Sequence, residues 1–196
     1  MIIDGKKLSE KLCAQVRAET EMMQRRPCLA AVLVGEDPAS RIYVRNKERD
    51  CVKCGIDSRR YELPDTVSEA ELLALIDSLN RDDAVDGILV QLPLPEHISE
   101  RKVINAVAPE KDVDAFHPIN VGRMVTGEGT LTPCTPAGIM AMLREYGISP
   151  DGKVSPQSTI IASLPYSRTV IFLPISLSPP NGIILRGVRF TALWLE

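Results

Sequence analysis

No stretch of this sequence offers the ~18 consecutive uncharged apolar residues that a membrane-spanning helix needs. Residues 1–7 also lack the apolar segment of a secretory signal. Lys and Arg form no cluster and the net charge is −3, so nothing points to nucleic acid. There is no internal repeat. These absences lead us to expect a cytoplasmic protein with neither a membrane nor a nucleic-acid partner.

The chain is also poor in paired cysteines. Its five, Cys13, Cys28, Cys51, Cys54 and Cys134, are odd in number and scattered, which argues against a disulfide framework. Cys51-Val52-Lys53-Cys54 has the spacing of a redox motif and of half a zinc site. It falls where a helix should end, just before Gly55. The negative end of a helix raises a thiol pKa, whereas redox pairs use the positive end to lower it. No second pair and no nearby His completes a metal site, so the motif reads as structural and no metal is expected.

What the chain does have is ordinary: 44% hydrophobic and 25% charged residues over 196 positions, enough for one good core. Residues 6–25 carry Leu8, Leu12 and Val16 at helical spacing, with Pro27 ending the pattern. The apolar run 29–34 closes in Gly35-Glu36-Asp37-Pro38 and reads as a buried strand followed by a turn. Ser40 or Asp37 can then cap the next helix, which Gly55 can end. Residues 58–63 form a half-polar strand candidate closed by Pro64. Ser68 and Glu71 match a capping box, with Leu72, Leu73, Leu75, Ile76 and Leu79 behind it. Residues 88–90 read as a central parallel strand with Gln91 at its end. Leu92-Pro93-Leu94-Pro95 cannot extend a sheet and allows a cis proline. A helix over 100–107, a polar loop over 109–118 and a helix over 135–146, capped by Thr135 and ended by Gly147, complete the series. Alternating strands and helices predict an α/β fold: an open, mainly parallel sheet flanked by helices.

The composition changes near Lys153. Residues 154–195 contain no Asp or Glu and are rich in Ser, Pro, Ile and Leu, so 154–196 reads as a divergent, poorly ordered tail.

On the second helix Tyr43 and Lys47 lie four residues apart and share a face. A phenol beside an ammonium, just past the end of a strand, is where open α/β sheets place ligands. Three segments stand out: Ser40-x-x-Tyr43-x-x-x-Lys47, Gly87-Ile88-Leu89-Val90-Gln91-Leu92-Pro93-Leu94-Pro95, and Lys111-Asp112-Val113-Asp114. With residues 34–40 and Pro133-Cys134-Thr135-Pro136, they resemble the bifunctional methylenetetrahydrofolate dehydrogenase/cyclohydrolase family over roughly residues 1–153.

The resemblance implies one-carbon metabolism serving purine biosynthesis. Methylenetetrahydrofolate is oxidised with NADP or NAD, and the methenyl product is hydrolysed to 10-formyltetrahydrofolate. It implies Lys47 as catalytic amine, Tyr43 against the folate ring, Gln91 orienting Lys47, and Asp114 holding the pterin. The partners implied are tetrahydrofolate derivatives, with a homodimer left open. A free Lys, pKa about 10.4, must fall toward about 7–8 to act as a base at neutral pH. An amide oxygen from Gln91 favours the charged form, so burial under the bound folate is expected to supply the shift. Asp114 can accept two parallel hydrogen bonds from the pterin's amino-pyrimidinone edge. Ser40 reads as a cap.

Two departures accompany the resemblance. Ala115 stands where the family usually has Gly. The family's Rossmann-like second domain, with its Gly-x-Ser-x-x-Val-Gly-x-Pro phosphate turn, has no counterpart after Lys153. The expected organisation is therefore a folate-binding catalytic domain, 1–153, whose last helix leads to a truncated or out-of-frame tail, 154–196. The cofactor motif is missing from the chain. The alternatives are a non-enzymatic remnant that binds folate or a full-length partner, and a small α/β ligand-binding module.

Overall fold

The computed structural model describes residues 3–128 and 131–148, and the backbone of residues 184–185 and 188–189. The order is α1 (Gly5–Glu21), β1 (Cys28–Val34), α2 (Pro38–Lys53), β2 (Asp57–Leu63), α3 (Glu69–Arg81), β3 (Gly87–Val90), α4 (Glu100–Ala106), α5 (Pro118–Thr126) and α6 (Cys134–Glu145). A two-residue antiparallel pair, β4 (Ile184–Leu185) with β5 (Val188–Arg189), follows. The remaining expectations for 154–196 lie outside the described residues.

All seven residues of β1 are buried. Its side chains alternate between two cores. Leu29, Ala31 and Leu33 pack with Val16, Val44 and Cys51. Ala30, Val32 and Val34 pack with Leu72, Ile76, Leu79 and Val103. An unbroken apolar run is what a parallel strand covered on both faces requires. β1 pairs in parallel with both β2 and β3, in the order β2-β1-β3. The expected α/β sheet flanked by helices is thus present, with β1 rather than residues 88–90 at its centre. Beyond β3 the pairing continues, among the described residues, as one parallel bridge from Ile88 to Asp112. β2 is an edge and alternates between exposed and half-buried positions, which accounts for its polar sequence.

Several boundaries differ from the sequence reading for local reasons. α1 stops at Glu21, four residues early, where the Met22 and Met23 N–H groups turn back to the Glu19 and Thr20 carbonyls. Asp37, not Ser40, caps α2: its carboxylate accepts from the Ser40 N–H at 2.7 Å, and Ser40 itself is buried inside the helix. Thr135 is likewise internal, because α6 starts one residue earlier with Pro133 at its N-cap. The capping box of Ser68 and Glu71 is formed, and Leu92–Pro93 is a cis peptide. α5 is an element that the sequence reading left inside and beyond a loop. It opens on His117 and Pro118 and closes on Gly127 at φ +77°. Those are standard start and stop residues, but Gly122 in the middle and only nine residues of length hide the helical period.

Candidate active site

The order β2-β1-β3 sends α2 over one face of the sheet and α3 over the other. The chain reverses direction between β1 and β3, and the crevice outside the C-terminal ends of these strands is where open α/β sheets bind ligands. Gln91 lies at that end. Its backbone N–H donates to the Val32 carbonyl at 2.8 Å, one step beyond β3. Its side-chain nitrogen donates to the Leu92 carbonyl at 2.7 Å. The amide is thereby turned so that Oε1 accepts from Lys47 Nζ at 3.2 Å.

Lys47 reaches this point from the middle of α2 and is 7% exposed. Burial pulls its pKa down from 10.5 to about 8, against the opposing charge of Asp114. The sequence reading assigned this shift to burial under a bound folate. The protein's own packing already supplies most of it, because α2 lays Lys47 against the sheet alongside Val44 and Cys51.

Asp114 enters from the strand-like segment that bridges to β3. Burial raises its carboxyl pKa, the Lys47 charge opposes the rise, and Asp112 adds to it. The turn carrying Asp114 is fixed by Asp112, whose buried Oδ2 accepts from the His117 N–H at 2.8 Å and from Asn120 Nδ2 at 3.0 Å. Ala115 follows at φ +57°, a left-handed conformation that costs a residue with a Cβ about 1–2 kcal/mol. The departure from glycine noted in the sequence therefore leaves the turn intact: the hydrogen bonds to Asp112 hold it. Lys111 has a separate task, donating Nζ to the Leu79 and Asp82 carbonyls at the end of α3.

Tyr43 lies one turn before Lys47 on the same helix and is 60% exposed. Its ring is uncovered on the flank of the crevice and offers a flat apolar surface to a planar ligand. Of the four residues singled out in the sequence, Lys47 and Gln91 are in contact, Asp114 is coupled to Lys47 by charge, and Tyr43 borders them in the open. The sequence reading missed Cys134 as part of this site. Its buried thiol faces the Val113 carbonyl at 4.0 Å and feels the charges of Asp114 and Lys47. Burial holds it well above the ordinary thiol range and keeps it neutral. It also missed Asn120 and His117. The short α5 that carries them was the available signal, through His117-Pro118 and Gly127.

No group of His, Cys, Asp or Glu suited to a metal occurs among the described residues. Nor do the starts of α2 and α3 fit the diphosphate of a nicotinamide dinucleotide. Such a group needs free backbone N–H groups on a glycine-rich turn. The start of α2 is taken by the Asp37 carboxylate. The start of α3 holds Glu69 and Glu71, and Glu71 bonds the Ser68 N–H at 3.0 Å. Both ends would repel phosphate. Cysteine reads as expected at Cys51, fully buried with its thiol pushed up to about 12 by burial.

A family model described as tetrahydrofolate dehydrogenase/cyclohydrolase, catalytic domain, matches residues 3–114. The bifunctional protein FolD of Magnetococcus marinus is 56% identical over 156 residues, which cover 78% of this chain and 55% of that relative. The FolD of Moorella thermoacetica is 54% identical over 155 residues, with the same two coverages. The chain thus spans about half the length of the curated relatives it matches. Among solved structures, the Campylobacter jejuni bifunctional FolD methylenetetrahydrofolate dehydrogenase/cyclohydrolase superposes with a TM-score of 0.76 at 45% identity, over 78% of this chain and 56% of that one. A Trypanosoma brucei FolD, solved with NADP cofactor and inhibitor, gives 0.75 at 32% identity, over 78% and 54%. No described helix is long and apolar enough to cross a membrane.

Proposed function

Because the chain belongs to the tetrahydrofolate dehydrogenase/cyclohydrolase family, we propose that residues 1–153 form its folate-binding catalytic domain and hold the proton-handling machinery for methenyltetrahydrofolate hydrolysis. The observation that carries this reading is Lys47: a buried amine with its pKa drawn down to about 8, whose hydrogen-bond partner is itself held in one orientation.

An amine of pKa about 8 is neutral in roughly a tenth of molecules at pH 7, enough to accept a proton in the attacking step. Water adds to the methenyl carbon and loses a proton to Lys47 Nζ. The bond from that carbon to N5 then breaks, N5 takes the proton held by Lys47, the remaining hydroxyl proton passes to solvent as the carbonyl forms, and 10-formyltetrahydrofolate leaves. Gln91 Oε1 orients the amine. Tyr43 stacks on the folate ring, and Asp114 accepts from the amino-pyrimidinone edge of the pterin. The dehydrogenase half of the family's chemistry uses NADP or NAD, and the starts of α2 and α3, which carry Asp37, Glu69 and Glu71, do not suit the dinucleotide's phosphates.

Lys47→Met keeps the stem and removes the proton acceptor. Hydrolysis of methenyltetrahydrofolate, followed spectroscopically, should fall by at least about 100-fold. An undiminished rate would remove Lys47 from the mechanism. Asp114→Ala should weaken binding of a tetrahydrofolate analogue by about 1.5–3 kcal/mol in calorimetric titration, the worth of a charge-assisted hydrogen-bond pair. Equal affinity would return Asp114 to a purely structural place in its turn.

A further inference from the structure

The five cysteines are not equally placed. Cys28, Cys51, Cys54 and Cys134 are buried, and Cys13 on α1 is half-buried. Although Cys51 and Cys54 are neighbours in sequence, the Cys54 thiol turns away from α2 and donates to Cys13, with the two sulfurs 3.0 Å apart. We propose that Cys13 and Cys54 are a reversible disulfide site that staples α1 to the C-terminal end of α2. This inference is independent of the catalytic reading.

The geometry is held from several sides. Cys54 is the C-cap of α2, and its N–H donates to the Asp50 carbonyl at 3.0 Å. Its carbonyl accepts from Thr20 Oγ1 at 2.9 Å. Thr20 lies seven residues after Cys13, two turns along the same face of α1. That face therefore grips both the backbone and the sulfur of Cys54. Closing the bond requires the sulfurs to approach by about 1 Å, to the ~2.05 Å of a disulfide. The next residue, Gly55 at φ +71°, fixes the chain's exit from the helix. The hydrogen bond to Cys13, followed by burial, holds the Cys54 thiol far above its ordinary range, so Cys13 is the sulfur that an oxidant meets first.

The oxidant is a low-molecular-weight disulfide such as glutathione disulfide. The Cys13 sulfur attacks it, forming a mixed disulfide and releasing one glutathione thiolate. That thiolate leaves with the proton of Cys13. Cys54 then attacks the Cys13 sulfur, the mixed disulfide breaks, and a second glutathione departs with the proton of Cys54. Two protein thiols are oxidised and one glutathione disulfide is reduced to two thiols.

The test is incubation of the 196-residue chain with glutathione disulfide, then thiol counting after denaturation and tryptic mapping. Trypsin cuts after Lys53, so Cys51 and Cys54 fall on separate peptides. Titratable thiols should fall from five to three, and the peptide 12–17 should appear joined to 54–59. The oxidised chain should melt about 5–15 °C above the reduced one, and dithiothreitol should reverse the change. Cys13→Ser should abolish the link, and Cys51→Ser should leave it. Five thiols surviving in wild type, or a link from Cys54 to Cys51 instead, overturns the proposal.

Discussion

Lys47 couples the candidate chemistry to stability. Its pKa is about 8 in the folded chain and about 10.5 when unconstrained, so between those values the unfolded chain binds more protons than the folded one. Stability must therefore rise with pH from about 8 to 10.5 on account of this group, and below pH 8 the folded chain bears the full cost of a buried ammonium. A shift of this size corresponds to about 3 kcal/mol. Lys47→Met should thus stabilise the chain at pH 7 by about 1–3 kcal/mol, the lower figure allowing for the charge partner that Asp114 loses. It should also flatten the rise above pH 8. Urea denaturation of both proteins at pH 7 and at pH 10 measures the difference. A destabilised variant, or one whose difference from wild type is the same at both pH values, would show that the ammonium is not held at a cost. A residue whose removal strengthens the fold while abolishing turnover is retained for function, which links this measurement to the hydrolysis assay.

At the level of elements, the junction of α2 with β2 is the tightest. Gly55 needs φ +71°, and a Cβ there would lie 2.4 Å from Thr20 Oγ1, the group that satisfies the Cys54 carbonyl. Gly55→Ala should cost about 2–4 kcal/mol, from left-handed strain of about 1–2 kcal/mol and the loss of a buried hydrogen bond worth about 1 kcal/mol or more. In a Thr20→Ala background the clash is gone and only the strain remains, so the same substitution should cost about 1–2 kcal/mol. Chemical denaturation of the four proteins of this cycle checks both figures, and equal costs in the two backgrounds would discard the steric part. The start of β1 beside this junction is secured by Asp86, which accepts from the Cys28 N–H at 3.0 Å and from both terminal nitrogens of Arg25 at 2.6 and 2.7 Å.

For the whole molecule, the described residues form the candidate crevice at the C-terminal ends of β1 and β3, and the starts of α2 and α3 carry carboxylates that would repel a diphosphate. The sequence after Lys153 holds only Gly182 and Gly187, and neither lies in a glycine-rich phosphate turn. We expect the purified 196-residue polypeptide to show no saturable binding of NADP or NAD by calorimetry, and no methylenetetrahydrofolate-dependent reduction of either. Saturable binding would overturn this expectation. The closing helix is joined to the opening one: Lys11 pairs with Glu145 at 2.7 Å, and the Asp4 N–H donates to the Tyr146 hydroxyl at 2.8 Å. α6 is thereby tied to α1.

Local patterns in the chain carry the kind of layer and the identity of the candidate site groups. Short runs closed by Gly or Pro and period-3.6 patterns are local properties of the chain, and they located three strands and most of the helices because each element must bury its own apolar side. Tyr43 with Lys47, Gln91 after an apolar run, and Lys111-Asp112-Val113-Asp114 were visible for the same reason: each motif is contained within a few residues. The sequence could not set strand order, because pairing joins residues far apart, and β1 rather than β3 took the centre. It left the α2 cap open between Ser40 and Asp37 and placed the α6 cap at Thr135, whereas the backbone turned at Asp37 and Pro133. Only the tertiary structure decided that packing around Lys47 lowers its pKa before any ligand arrives, that Cys134 borders the site, and that Cys54 meets Cys13 across 41 positions instead of Cys51 next door. Desolvation and thiol pairing depend on which surfaces meet. That is settled when α1 and α2 pack on the same face of the sheet, and no spacing within either helix encodes it.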